Sequence, residues 1–166
     1  MNRNTVIIGL AAVAAISASI AGYYVAEAQK NYSLTNTELT KALRYERLAD
    51  EQARRDEDLL IQATIEHFKN ETRVSQFLVG QISDEAMNHM LFDKQNNTFS
   101  LASGYYDNLY ENSTNSEQTA HDYLEHADLS DEYSRGFIVL TSVFTAAVVI
   151  FSEVTRRKEL SSGSQA

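Results

Sequence analysis

Two apolar stretches, one near each end of the chain, constrain what this sequence can become more than any other feature. The first runs from Thr5 to Ala26 with no charged residue between Arg3 and Glu27. The second runs from Gly136 to Val154, with Arg135 before it, Glu153 as its single charge and Arg156, Arg157 and Lys158 after it. About 20 apolar residues in a helix cross the hydrocarbon core of a bilayer. Residues 5–26 and residues 136–154 are therefore each expected to form a transmembrane helix. The second is near the lower length limit, which puts Tyr133 and Glu153 at its two interfaces. The first also fits a cleaved leader, with Met1-Asn2-Arg3-Asn4 as its basic start and Ser19-Ile20-Ala21 as a small-residue cleavage site. The second also fits a buried helix of a soluble domain.

Residues 27–135 are acidic, with 21 Asp and Glu against 10 Lys and Arg, a balance of -11. Such a surface repels phosphate, since nucleic-acid binding needs Lys and Arg to displace counterions. The mean hydropathy of -0.34 averages this polar middle with two apolar ends, so it describes neither. No cysteine occurs, which excludes disulfides, thiolate catalysis, Cys-ligated zinc and iron–sulfur clusters. No proline occurs either, so nothing of that kind interrupts a long helix.

Sidedness follows from the basic residues. Arg156, Arg157 and Lys158 favour cytoplasmic termini, while Lys30, Lys41, Arg44 and Arg135 vote the other way from a long loop that translocates largely regardless of charge. Tyr23, Tyr24 and Tyr133 lie toward the middle, where aromatic rings suit the headgroup layer. Asn31, Asn70, Asn96 and Asn112 each begin an Asn-x-Ser/Thr sequon, a candidate glycosylation site. The expected arrangement is a two-pass protein of the cell membrane, with both termini cytoplasmic and residues 27–135 as an extracytoplasmic helical domain.

The expected fold is all-α: two transmembrane helices continuous with long antiparallel helices, and short helices at the distal tip. From Glu27 to Lys69 the chain has neither Gly nor Pro and is rich in helix formers. Leu39, Ala42, Ala49, Ala53, Leu60 and Ala63 form a coiled-coil-like seam, interrupted by the polar Glu46 and Asp56. One helix should continue from the first anchor to Phe68 or beyond. Gly80 can end a helix, and Ser83 before Asp84-Glu85 is a helix start. A short helix is expected through Ala86, Met87, Met90, Leu91 and Phe92, then a loop at Asp93–Asn97. Phe99–Tyr110 reads as a second short helix or an irregular aromatic patch, and Glu111–Ser113 as a loop. Thr114 with Glu117 matches a capping box, which starts a last helix carrying Ala120, Tyr123, Leu124, Ala127 and Tyr133 into the second anchor. After the basic residues of 155–158, the tail Leu160–Ala166 reads as disordered.

Three groups of residues are candidates for function. Small residues recur every four positions in the first anchor, as Ala11, Ala15, Ser19 and as Ala14, Ala18, Gly22, which lets another helix approach closely. Phe99, Tyr105, Tyr106 and Tyr110 form an aromatic patch that serves either as a partner surface or as a plug closing the bundle. His121, Glu125 and His126 are the densest cluster of metal-ligand types, although a solvated acidic face is the simpler reading, and no metal is expected. The Glu-x-x-His pair of di-iron bundles is absent at all four histidines. No Gly-rich phosphate loop, Gly-x-Ser-x-Gly elbow or His-Glu-x-x-His motif occurs.

The ends carry a resemblance. Ser19-Ile20-Ala21-Gly22-Tyr23 leads out of the first anchor into an Ala/Glu/Arg-rich helix, and Ser130-Asp131-Glu132-Tyr133 leads toward Val139–Phe144 in the second. This resembles an uncharacterised family of small prokaryotic membrane proteins with an anchor at each end and a coiled-coil-like helical middle. The likeness covers the ends and leaves about Val74 to Asn115 unmatched. It implies no activity, cofactor or site residue. The expected function is a non-catalytic accessory or scaffolding subunit of a membrane complex, partnered by the bilayer and by other membrane proteins or itself, without nucleic acid or cofactor. The alternatives are a sensor-like ligand-binding module and a metal-binding protein using His121, Glu125 and His126.

Overall fold

The computed structural model describes residues 3–163. In chain order the elements are α1 (Arg3–Phe68), α2 (Thr72–Val79), α3 (Asp84–His89), β1 (Met90–Asp93), β2 (Thr98–Leu101) and α4 (Ser103–Gly163). Among the described residues the fold is all-α apart from one antiparallel hairpin, β1–β2, in which Phe92 faces Phe99 across the strands. The chain packs as two compact units, one holding α1 up to Thr35 with α4 from His121, the other spanning Asn36–Ala120.

The helices reach 66 and 61 residues because no proline removes a backbone donor from them. Hydroxyl side chains inside them bond back along the same helix: Ser19 to the Ala15 carbonyl at 3.0 Å, Thr141 to Phe137 at 2.8 Å and Ser142 to Ile138 at 2.9 Å. These three hydroxyls thus have a partner without water. Helix α1 ends in a local device. Asn70 adopts φ 62°, its N–H donates to the His67 carbonyl at 3.0 Å, and Glu71 N–H donates to Glu66 at 2.9 Å. This is the Schellman pattern, with Asn in the left-handed position that glycine usually fills.

In each long helix a row of mostly small buried residues recurs every seventh position: Ala21, Ala28, Thr35, Ala42, Ala49, Asp56 and Ala63 in α1, and Ser113, Ala120, Ala127 and Ser134 in α4, with Ser17, Ala53, Leu60, Tyr105 and Ser130 buried off that row. A seven-residue spacing keeps one stripe of a helix turned toward one neighbour, and small side chains bring axes toward the close end of the usual range of about 8–10 Å. Within the Asn36–Ala120 unit the helices run antiparallel: Ala42 pairs with Ser113, Asp50 with Tyr110 and Asp56 with Tyr105. The core there joins Ala53, Leu60, Ile82, Ala86 and Tyr105. In the other unit Tyr24 stacks on Phe137 (6.0 Å, 12°) and meets Tyr133 (5.3 Å), while Tyr32 donates to Asp128 at 2.9 Å, again antiparallel.

The expected all-α class with long antiparallel helices is what the structure has. The seam holds at Ala42, Ala49, Ala53, Leu60 and Ala63; Leu39 lies off it, exposed, and Asp56 lies in it, 1% exposed. Ser83 caps α3 as its position suggests, accepting from Ala86 N–H at 3.1 Å.

The tip differs from expectation in four ways. The helix expected through Phe92 stops at His89, because Met90–Asp93 pair with Thr98–Leu101. Asp93 accepts from the N–H groups of Gln95 (2.8 Å) and Asn96 (3.3 Å), and Asn97 takes φ 50°, so turn chemistry overrides helical periodicity here. The segment Phe99–Tyr110 is part strand and part α4, not a separate helix. Glu111–Ser113 is helical rather than a loop, since Ser113 is buried against α1, its Oγ 3.1 Å from the Ala42 carbonyl. Thr114 does not cap a helix either: its hydroxyl bonds back to Tyr110 at 3.2 Å in mid-helix. At the C-terminal end α4 continues to Gly163, so Leu160–Gly163 are helical where disorder was expected. Ser164–Ala166 lie outside the described residues.

Candidate functional site

Three places bring chemistry-bearing side chains together or leave an unusual face open. The first is a ladder of tyrosine–carboxylate bonds between α4 and α1 in the Asn36–Ala120 unit. Tyr105 donates to Asp56 at 2.9 Å, Tyr106 to Glu57, and Tyr110 to Asp50. Asp56 also accepts from Ser83 twice, from its N–H at 2.9 Å and its hydroxyl at 2.6 Å. One buried carboxylate therefore ties α1, the start of α3 and the first turns of α4. Burial, then the bond to Asp56, raises the Tyr105 phenol above its ordinary value. The Glu57 bond, then burial, pushes Tyr106 up to about 12, and the Asp50 bond raises Tyr110. Phenols held protonated against carboxylates are neither bases nor nucleophiles at neutral pH; the ladder acts as a clamp between helices.

The aromatic patch is thus divided. Tyr105 is fully buried, so no partner can reach it, and Tyr106 and Tyr110 are half-buried with their hydroxyls committed to α1. Phe99 belongs to the second place, a ring cluster at the tip. Phe92 and Phe99 lie 4.9 Å apart, and His67 sits edge-on to both, at 5.7 and 6.2 Å. The Phe99 N–H donates to Thr64 Oγ1 at 3.2 Å, which fastens β2 to α1. A two-stranded hairpin is marginal alone; here the rings and this bond hold it. Neither His67 nor Asp56 was singled out as functional in the sequence. Asp56 had a signal, a charge at a seam position, whereas His67 had none.

The third place is the outer face of the first apolar segment. Ser17 and Ala21 are buried in the intrachain seam and Ala14 is half-buried, while Ala11, Ala15, Ala18, Ser19 and Gly22 remain exposed. A Cβ added at Gly22 would meet nothing within 4 Å. No protein-family model, curated protein or solved structure matches the chain. The resemblance of its ends to small two-anchor membrane proteins therefore stands on the sequence alone.

The remaining candidates are scattered. His121, Glu125 and His126 are exposed on α4, and among the described residues no group of three or more His, Cys, Asp or Glu is placed to hold a metal. Asn70 and Asn96 sit exposed in turns, Asn112 is exposed on α4, and Asn31 is half-buried on α1. Asn96 already donates from Nδ2 to Asp93 at 2.7 Å.

Two helices, within Asn4–Phe68 and Ser103–Lys158, are long and apolar enough to cross a membrane. Only 11% of the most apolar 18-residue window of the first is buried, and none of the second. Ile8, Ile16, Val139, Val143 and Ile150 are each at least half exposed. A core helix of a soluble protein would bury such residues.

Proposed function

We propose that this chain is a membrane-anchored, non-catalytic helical protein that serves as an accessory or scaffolding subunit of a membrane assembly. The observation that carries this reading is the division of labour on the first apolar segment. One stripe, Ser17 and Ala21, packs within the chain, and a second stripe, Ala11, Ala15, Ala18 and Gly22, is small and open. In lipid there is no hydrophobic drive between helices, so close van der Waals approach along small residues is what joins them. That second stripe suits a helix from another membrane protein or from a second copy. The large apolar side chains of both segments then face lipid, and Tyr23, Tyr24 and Tyr133 mark the interface.

In this reading residues 27–135 lie outside the cytoplasm and both termini inside, with Arg156 and Arg157 as the basic stop, each paired to Glu153 (3.3 and 3.2 Å). Gly22→Leu and Ala18→Leu test the assembly. Both sites are open, so neither change disturbs the monomer. Each variant should lose the slower-migrating species on a native gel in mild detergent while keeping wild-type helicity, and wild-type migration of the double variant would refute the role. Protease added to intact cells should remove residues 27–135; their protection would reverse the sidedness.

A further inference from the structure

We infer that the tip of the Asn36–Ala120 unit is a binding site for a small, flat, largely apolar molecule carrying one hydrogen-bonding group, of the indole or phenol class. The end of α1, helix α2 and the β1–β2 hairpin enclose a cleft of about 320 Å³. That volume lies within the range of ligand cavities, about 300–1,000 Å³. Its walls are the rings of Phe92, Phe99 and His67, together with Val79. These three rings pack on one another, centroids 4.9 to 6.2 Å apart, and together form an aromatic wall of the cleft against which a planar guest can lie.

Polar groups in the cleft are few and convergent. The His67 imidazole has ring contacts but no hydrogen bond among the described residues, and one nitrogen donates while the other accepts when it is neutral. Ser75 is 2% exposed and contributes to the lining from α2, as does Gln76. No Lys, Arg, Asp or Glu lines the cleft, so an ionic ligand finds no counter-charge there. The cleft is open rather than a packing void, because Phe92 in its wall is 40% exposed. It is also preformed: the Phe99–Thr64 bond and the end of α1 at Asn70 set its walls before any guest arrives. This inference does not depend on the scaffolding role.

The test uses the full chain in lipid nanodiscs with 5-fluoroindole as the probe, read by fluorine NMR line broadening against protein-free nanodiscs. Saturable broadening that needs the protein is expected. Thr72→Trp, from the exposed first turn of α2, and Gln76→Trp each fill the cleft and should weaken binding at least tenfold, with helicity checked by circular dichroism so that whichever variant folds decides. His67→Phe should weaken 5-fluoroindole while leaving fluorobenzene, which lacks the hydrogen-bonding group, unchanged. Broadening equal to that of empty nanodiscs, or binding that survives the folded tryptophan variant, overturns the site.

Discussion

Asp56→Ala should be the most damaging single change in the Asn36–Ala120 unit, lowering its stability by about 2–5 kcal/mol. Asp56 is 1% exposed and is the acceptor for Ser83 N–H, the Ser83 hydroxyl and the Tyr105 hydroxyl. Removing it strands the fully buried Tyr105 hydroxyl and unties the half-buried Ser83, and leaving a buried donor unsatisfied costs more than the bond was worth. Tyr105→Phe should cost about 0.5–1.5 kcal/mol, because Asp56 keeps its two bonds from Ser83. Asp56→Asn should fall between them, since an amide keeps one acceptor oxygen but turns N–H groups toward donors. Thermal unfolding in detergent, followed by circular dichroism, would give this order. An Asp56→Ala protein that melts with the wild type would show that the clamp does not hold the tip.

The same ladder predicts an alkaline limit. The folded-state values of Tyr105, Tyr106 and Tyr110 are raised above the phenol's ordinary value, Tyr106 to about 12. Below pH of about 10 both folded and unfolded chains keep these phenols neutral, so the contribution is intact. As pH climbs past that point the unfolded chain loses the protons first, and stability falls through the window up to the folded values. A melting profile against pH should drop there in the wild type and flatten in a Tyr105→Phe, Tyr106→Phe double variant.

The second large effect is overpacking of the small-residue seam. Ala42→Leu and Ser113→Leu should each destabilise the same unit by about 1–3 kcal/mol. Ala42 is 2% exposed, Ser113 is 5% exposed, and the Ser113 hydroxyl reaches the Ala42 carbonyl at 3.1 Å. A side chain this short reaches a backbone carbonyl on the facing helix only where the two backbones run close. A leucine there forces the helices apart or leaves its rotamer well. The two costs should not add, because the first insertion already opens the space the second needs. Leu43→Ala, one residue along on the exposed face, should change stability by less than about 0.5 kcal/mol. Denaturant midpoints for the wild type, the three single variants and the Ala42→Leu, Ser113→Leu double variant would settle it: equal costs at Ala42 and Leu43 would mean the seam is loose.

Much of the molecule was legible in the sequence. The long helices were, down to the end of α1 at Phe68, because a proline-free run of helix formers needs nothing distant to become helical. The cap at Ser83 was legible for the same reason. The hairpin was not. Met90, Leu91 and Phe92 continue the helical spacing of Ala86 and Met87, and only pairing with Thr98–Leu101 turns them into a strand. The capping box at Thr114 failed in the opposite direction: its local signal was right for a helix start, but burial of Ser113 against α1 carried the helix past it.

The candidate site divides along the same line. Composition placed two apolar helices and the small residues on the first of them, since charge and side-chain size are properties of the chain itself. Which small residues the molecule spends on its own seam and which it leaves open was decided by the pairing of α1 with α4. So was the fate of the tyrosines, whose hydroxyls are taken by carboxylates 49 to 60 residues away. Local sequence sets backbone conformation through interactions within a turn or two; a clamp or a cleft exists only where distant segments meet.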